Sequence, residues 1–389
     1  MKLMYKLITI GIVALVVGIG GGIGIGFFIG NNTGADIDVR YGGQYYPGEF
    51  VLKGISEYWT KYGINVDHRI FASGGENNNA MIAGELDVNC GSDSKTVGLF
   101  GSIDNALIIG TIQRGDRYST IIPTASAYTS WYDLVGLQVG IKWGTGAEQV
   151  CARYFDTVSD LDFDNFTWIP LEVTQMVASL EADDIQAFTA WEHTPSVAVD
   201  QGVGKVMMNY GAYAMTPASL HTTTDFAYAN PQSIIAFLAG HLDKFDLITE
   251  DKNGAANVAS DAAEEIGVAI SAGAFELIFD KINFQIDFNE TVIDAIEDTA
   301  NFLLSKEKIS EVPDLVWDAR FIDAAKELQE DFGIPATGTS VDSYGQALIK
   351  VTEKYFGLMS DKTILKGFFA CTFGIGAIIT RTTLRKRKE

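Results

Sequence analysis

The sequence predicts an α/β protein of two similar lobes whose chain ends span a membrane. Strand–loop–helix units recur along residues 36–221, the pattern that builds a largely parallel sheet. One phrase occurs twice at the same point of such a unit. Met81 to Val88 and Leu180 to Ala187 each end a helix immediately before a strand. Uncharged apolar runs stand at both ends of the chain.

At the start, residues 7–30 carry no charge and exceed the roughly 20 residues a helix needs to cross a bilayer. A signal peptide competes, but its apolar part is usually only about 7–15 residues. Gly18, Gly22, Gly26 and Gly30 repeat at every fourth position, a small-residue face for packing within a membrane. Residues 1–35 are therefore expected to form an N-terminal anchor. From Asp36 the composition changes, and residues 37–43 alternate like a strand. Pro47 is placed to open a helix that runs to about Tyr62 and stops at Gly63. Strands follow at 64–71, 86–90 and 105–113, with helices opening at Ser73 and at 91–94.

Residues 130–148 organise the second lobe. Asp133 and Leu134 precede a turn at Gly136, 137–141 is a short apolar strand, and Gly144-Thr145-Gly146 opens a helix. Glycine lets a backbone approach a ligand closely, and the first helical turn leaves N–H groups free at the positive end of the dipole. Such a terminus seats a carboxylate, sulfonate or phosphate; the same loop also serves as a plain tight turn. Strands at 166–169, 185–190 and 203–208 follow, with a helix at 172–180 and the segment Trp191-Glu192-His193-Thr194-Pro195 after the second of them.

Beyond about residue 222 the pattern is helical. Segments 233–245, 257–270, 289–304 and 319–331 place apolar residues at three- and four-residue steps. A loop is expected over 336–346 and a last helix over 344–356. Residues 367–380 are uncharged but short for a span; extended back to Thr363 they include Lys366, which near a helix end reaches the headgroups. Arg381, Arg385, Lys386, Arg387 and Lys388 follow, and Lys2 and Lys6 precede the first run. The positive-inside rule then puts both ends in the cytoplasm and the body outside. Residues 361–389 are expected to be a second span with a basic tail, a loosely docked tail being the rival.

The 389 residues carry 28 Lys and Arg against 50 Asp and Glu, a net charge of −22, and basic residues gather at the two ends. So acidic a body excludes non-specific nucleic-acid binding. Cys90, Cys151 and Cys371 are too few and too far apart for a disulfide framework, and a buried inert thiol is the default for each. His68, His193, His221 and His241 are scattered, so no metal site is expected and no histidine is assigned a role. Neither a Gly-x-Ser-x-Gly elbow nor a phosphate-binding Gly-x-x-x-x-Gly-Lys loop occurs, and no cofactor is expected.

Three phrases stand in order: Gly-Glu-Leu-Asp-Val at 84–88, Asp-Leu-x-Gly-x-x-Val-Gly with its Gly-Thr-Gly loop at 133–146, and Ala-Trp-Glu-x-x-Pro at 190–195. Over about 36–330 the chain resembles the extracytoplasmic substrate-binding proteins of ABC importers for nitrate, sulfonates, taurine and thiamine-precursor pyrimidines. Asp183 stands where that family's second-lobe turn usually has Gly, and Gln186 where it usually has Asp. The resemblance implies a type II periplasmic-binding-protein-like fold, two lobes joined by two crossovers and closing on one small molecule. Sequence layout puts the crossovers near 122–127 and 213–224. Lobe 1 is then 36–124 with 222–360, and lobe 2 is 125–221. It also implies a permease and an ATPase as partners, with the binding domain on the extracytoplasmic face of the cell membrane. Some relatives make a thiamine pyrimidine through a lysine and a cysteine-rich stretch. This chain lacks such a stretch, so an enzyme is not expected. A membrane-tethered sensing receptor is the other reading.

Ligands of open α/β sheets sit beyond the carboxyl ends of the strands, and that rule selects the candidate contacts. Gln44, Tyr45 and Tyr46 follow the first strand, and a tyrosine there either stacks on a ligand or packs under the loop. Ser73, Gly74 and Gly75 seat an anion or merely cap a helix. Ser92, Asp93 and Ser94 share that ambiguity, Asp93 being also a partner for a cation. Arg114 grips an acid with two hydrogen bonds or makes a solvated pair with Asp116. Thr145 and Gly146 are the expected second-lobe contacts. Trp191 offers a stacking face, or structural packing between lobes, and Glu192 a partner for an amine.

Overall fold

The computed structural model describes residues 37–287, 289–332 and 341–357. The expected membrane segments 1–35 and 361–389 lie outside the described residues. Among the described residues no helix is long and apolar enough to cross a membrane.

In chain order the elements are β1 Ile37–Gln44, α1 Pro47–Gly54, α2 Glu57–Thr60, β2 Ile64–Phe71, α3 Gly74–Ile82, β3 Val88–Ser92, α4 Asp93–Phe100, β4 Ala106–Gly115 and β5 Tyr118–Pro123. Then come β6 Gln138–Ile141, α5 Gly146–Phe155, β7 Thr167–Pro170, α6 Val173–Glu181, β8 Ala187–Trp191, α7 Thr194–Asp200, β9 Gly204–Asn209 and β10 Ala218–Thr223. The rest is α8 Thr224–Ala229, α9 Pro231–Glu250, α10 Lys252–Glu265, α11 Ala272–Phe279, β11 Ile282–Asn283, α12 Glu290–Ser305, α13 Arg320–Phe332 and α14 Val341–Phe356.

The strands form two sheets, one in the order β11-β4-β10-β3-β1-β2 and the other β7-β6-β8-β5-β9. Each holds a parallel trio. β1 runs parallel to β2 and β3, and β6 parallel to β7 and β8. Each also takes antiparallel strands where the chain changes sheet: β10 against β3 and β4, and β5 against β8 and β9. The chain leaves the first sheet through Asp116-Arg117 and returns through residues 210–217. The outward passage is earlier than the expected 122–127, because β5 belongs to the second sheet. That strand lacks an alternating apolar pattern: its Ser119 and Thr120 are buried, Ser119 donating to Asn209 at 2.7 Å and Thr120 sharing a hydrogen bond of 2.7 Å with Thr189.

Elsewhere the helices differ in extent. The helix expected from Pro47 to Tyr62 is broken between Gly54 and Glu57. The segment read as 257–270 starts earlier, where the Asp251 carboxylate accepts the Gly254 N–H at 2.9 Å and caps α10. Residues 341–346, expected as loop, are already helix.

Both lobes close their helix-to-strand turn in the same way. Gly84 has φ +73°, and Asp183 at the equivalent point has φ 62°, a conformation that aspartate tolerates better than most residues. Just beyond, the Asp87 carboxylate accepts the Arg40 N–H at 2.9 Å, and the Gln186 side-chain oxygen accepts the Gln138 N–H at 3.3 Å. The two departures from the family pattern thus keep the turn and its tie to the neighbouring strand. Each lobe has an aromatic core. In the first, Trp59 stacks on Phe237 with centroids 5.6 Å apart, and in the second Trp131 meets Phe155 and Phe166 edge-on at 5.0 Å.

Candidate ligand cleft

The residues that follow β1, β3 and β8 converge on the outward passage between sheets. At its centre is Arg117, only 1% exposed. Its guanidinium carbon lies 5.0 Å from the ring centroid of Tyr46 and 5.6 Å from that of Tyr118. Nη1 donates to the Thr216 carbonyl on the returning crossover. Nε and Nη2 are buried and have no partner among the described residues. Buried N–H groups cost stability unless an acceptor meets them, and a guanidinium fork matches the oxygens of a carboxylate or sulfonate.

Asp93, 1% exposed, opens α4. Its carboxylate accepts the Ser94 N–H at 2.9 Å and the Thr299 hydroxyl at 2.8 Å. Gln149 of α5 donates to the same carboxylate at 3.4 Å and to Thr299 at 2.8 Å, so this cluster joins the two lobes through α12. Burial pushes the Asp93 carboxyl up, against the Thr299 hydrogen bond and the charge of Arg117.

Space is tight at two helix starts. A methyl at Gly146 would stand 2.1 Å from the Tyr118 hydroxyl, and one at Gly74 would stand 2.8 Å from Lys95 Cγ and 3.0 Å from the Gln44 amide. Gln44 is itself held by donation to the Cys90 carbonyl at 2.7 Å. Burial, and then the charge of Lys142, hold the Lys95 ammonium below its ordinary value.

Among the sequence candidates the structure therefore brings together Gln44, Tyr46, Gly74, Asp93 and Gly146. Tyr45 is half-buried and faces His193 at 6.4 Å between centroids. Trp191 is half-buried opposite Tyr118 in the β5–β8 register and packs on the second-lobe core. Glu192, 2% exposed, is already paired with Lys281 and accepts the Ser196 N–H at 3.2 Å, so it is not free for an amine. Ser73 caps α3 through the Glu76 N–H at 3.3 Å, a methyl at Gly75 would come no closer than 4.0 Å to the Ser73 hydroxyl, and Thr145 caps α5 through the Ala147 N–H at 3.3 Å. Ser92 and Ser94 pair hydroxyl to hydroxyl at 3.2 Å. Arg114 does not join them: it bonds Gln285 beside β11, and Asp116 accepts the Gly211 N–H at 2.7 Å instead of pairing with it. The arginine of the cleft is Arg117, three residues on. No local pattern in the sequence marks it, because the passage between sheets falls there and not at the expected 122–127.

On the side of the returning crossover a cavity of about 280 Å³ opens beside Asp93, between residues 211–216, Arg153 of α5 and the Asp294 and Asp298 face of α12.

Two sheets joined by two crossovers, with a polar cluster between them, define a type II periplasmic-binding-protein-like fold, and solved structures share it. The periplasmic aliphatic sulphonate binding protein SsuA of Escherichia coli matches with a TM-score of 0.63 at 17% identity, over 72% of this chain and 92% of that one. The alkanesulfonate-binding protein SsuA of Xanthomonas axonopodis pv. citri, bound to MOPS, gives 0.61 at 16% identity, over 72% and 97%. The desulfurization enzyme DSZB gives 0.55 at 12% identity, over 74% and 98%. No family model and no curated protein matches the chain. What these likenesses establish is the fold.

Proposed function

We propose that this protein is a membrane-anchored, extracytoplasmic substrate-binding protein of an ABC importer, which captures a small organic anion between two lobes and presents it to a permease and its ATPase. The observation that carries the reading is Arg117: buried between the lobes, lying over two tyrosine rings, with two N–H-bearing nitrogens unmet among the described residues. Glu192 is neutralised by Lys281, which removes the main support for a cationic ligand there. The fold shared with sulfonate-binding proteins makes alkanesulfonates the first ligands to try, ahead of nitrate or pyrimidines. In this reading Gln44, Tyr46, Gly74 and Asp93 form the first-lobe wall and Gly146 and Trp191 the second-lobe wall. The segments 1–35 and 361–389 hold the acidic body at the outer membrane face.

DSZB shows that the fold also serves an enzyme. Here Cys90 and Cys151 are both buried, and burial pushes both thiols up, Cys151 to about 12. Neither is a thiolate nucleophile at neutral pH, which favours capture over catalysis.

A thermal-denaturation series of the full chain with ethanesulfonate, taurine, nitrate and a hydroxymethylpyrimidine tests the reading. A ligand in excess over its Kd raises the unfolding midpoint by mass action. The sulfonates are expected to do so. If no anion in the series moves the midpoint, anion capture is wrong.

A further inference from the structure

The body joins the two terminal apolar runs at Ile37, the start of β1, and at Gly357, just past α14. Only residues 31–36 separate Ile37 from the first run, and only 358–362 separate Gly357 from the second, taken from Thr363. Fully extended, linkers of that length span at most about 20 Å and about 17 Å.

Both points lie at one end of the first sheet. Tyr41 of β1 is level with Val88 of β3, Val88 with Thr222 of β10, and Thr222 with Leu107 of β4. So β1, β3 and β4 start at this end and β10 finishes there, while the cleft residues Gln44 and Ser92 stand at the other. Ile37 is four residues further out along β1. At the β4 edge, Ile108 donates its N–H to the Val316 carbonyl at 2.9 Å and accepts the Asp318 N–H at 3.2 Å, which fixes Trp317 beside the start of β4. Four strand spacings, about 20 Å, separate it from β1. The exit is tied to the same place. Tyr228 donates to the Asp318 carboxylate at 3.0 Å, Asp318 pairs with Arg320, and the Arg320 guanidinium carbon lies 4.9 Å from the ring centroid of Phe356, the residue before Gly357.

This end shows apolar and aromatic side chains to solvent. Val316 and Trp317 are each 44% exposed and Tyr228 is 47% exposed. Trp and Tyr are the residues that settle at headgroup level, with an apolar ring inward and a polar atom in water. The acids nearby are engaged, Asp225 with Asn105 and Asp318 with Arg320. They give no attraction to anionic lipid, so the rings and the short tethers carry the contact.

We infer that this end of the first lobe lies on the bilayer surface, with Trp317 and Tyr228 among the headgroups and the cleft open to solvent on the far side. This rests on the membrane anchoring proposed above and adds to it an orientation and a lipid-contacting face.

The chain has six tryptophans, none of them in the two apolar runs, and the exposed ones are Trp143 of the second lobe and Trp317. The full chain is reconstituted into phosphatidylcholine liposomes with ordinary acyl chains, or with chains brominated near the headgroup, which quench only tryptophans close to lipid. A loss of about a tenth or more of the emission is expected in the brominated vesicles, since one tryptophan of six lies at the interface. Trp317→Phe, which keeps an aromatic ring at an exposed site, should abolish the loss, and Trp143→Phe should leave it. Flotation after an alkaline wash reports anchoring separately. Anchored protein that is not quenched overturns the inference, leaves anchoring standing and gives the face to a protein partner. Quenching that survives Trp317→Phe also overturns it. If the chain does not float with the vesicles, anchoring and the inference fall together.

Discussion

Arg117 lies over the ring of Tyr46, with the guanidinium carbon 5.0 Å from the ring centroid. They belong to different ends of the first lobe, Tyr46 after its first strand and Arg117 where the chain leaves its sheet. The ring packs against the guanidinium while the Thr216 carbonyl takes one of its nitrogens, so the side chain is held before any ligand arrives. An exposed cation–π contact is worth about 0.5–1 kcal/mol and a desolvated one about 2 or more. Replacing Tyr46 by Ala should therefore weaken ethanesulfonate binding by about 1–2 kcal/mol, while Tyr46→Phe keeps it close to wild type. Titration calorimetry on both variants checks this. Equal losses would mean that the hydroxyl, not the ring, orients Arg117.

The two glycines at the helix starts should fail in different ways. Gly146→Ala drives a methyl against the ring and hydroxyl of Tyr118, which is 3% exposed and has no room to yield. A loss of stability of about 1–3 kcal/mol is expected, read from the denaturant midpoint. At Gly74 the new methyl meets the stem of Lys95 and the Gln44 amide, which can shift. Gly74→Ala should leave the midpoint within about 0.5 kcal/mol of wild type and weaken ligand binding instead. The reverse assignment of effects would show that Gly74 is structural.

His221 supplies a pH dependence with a defined sign. Its ring is 0% exposed, with Nε2 2.9 Å from the Thr96 hydroxyl and Nδ1 3.0 Å from the Asn89 side-chain oxygen. Burial holds its pKa down to about 3, from the ordinary 6.5. Between those values the unfolded chain binds a proton that the native state refuses, so its contribution is complete above 6.5 and is lost as pH falls toward 3. His221→Gln removes that titration while leaving the others in place. The gap in unfolding free energy between wild type and His221→Gln should therefore narrow by about 1.4 kcal/mol per pH unit below 6. Parallel stability curves from pH 7 to pH 4 would refute the assignment.

Much of the fold was legible from Gly, Pro and apolar spacing. Pro47 opens α1, Gly63 at φ +76° ends the turn before β2, and the Thr145 cap starts α5 where the glycine loop indicated. β5 was not, because its polar residues are buried and bonded within the sheet, which no local period reveals. The site followed the same division. Gln44, Tyr46, Asp93 and Gly146 could be picked out as candidate contacts from the rule that ligands sit beyond strand ends. Arg117 and Thr299 could not, since one lies at a passage between sheets and the other 206 positions from the Asp93 it contacts. Arg114 follows the end of an apolar strand, but its register with Asn283 in β11 sends it to the far edge of the sheet.

The most direct test of anion capture is a titration of the full chain with ethanesulfonate, wild type against Arg117→Met. Methionine keeps an unbranched side chain between Tyr46 and Tyr118 and removes the fork. The wild type should bind one equivalent saturably, and Arg117→Met should lose about 2–5 kcal/mol of binding free energy while keeping native far-UV circular dichroism. Undiminished affinity in a folded Arg117→Met protein, or no saturable binding by the wild type, would contradict it.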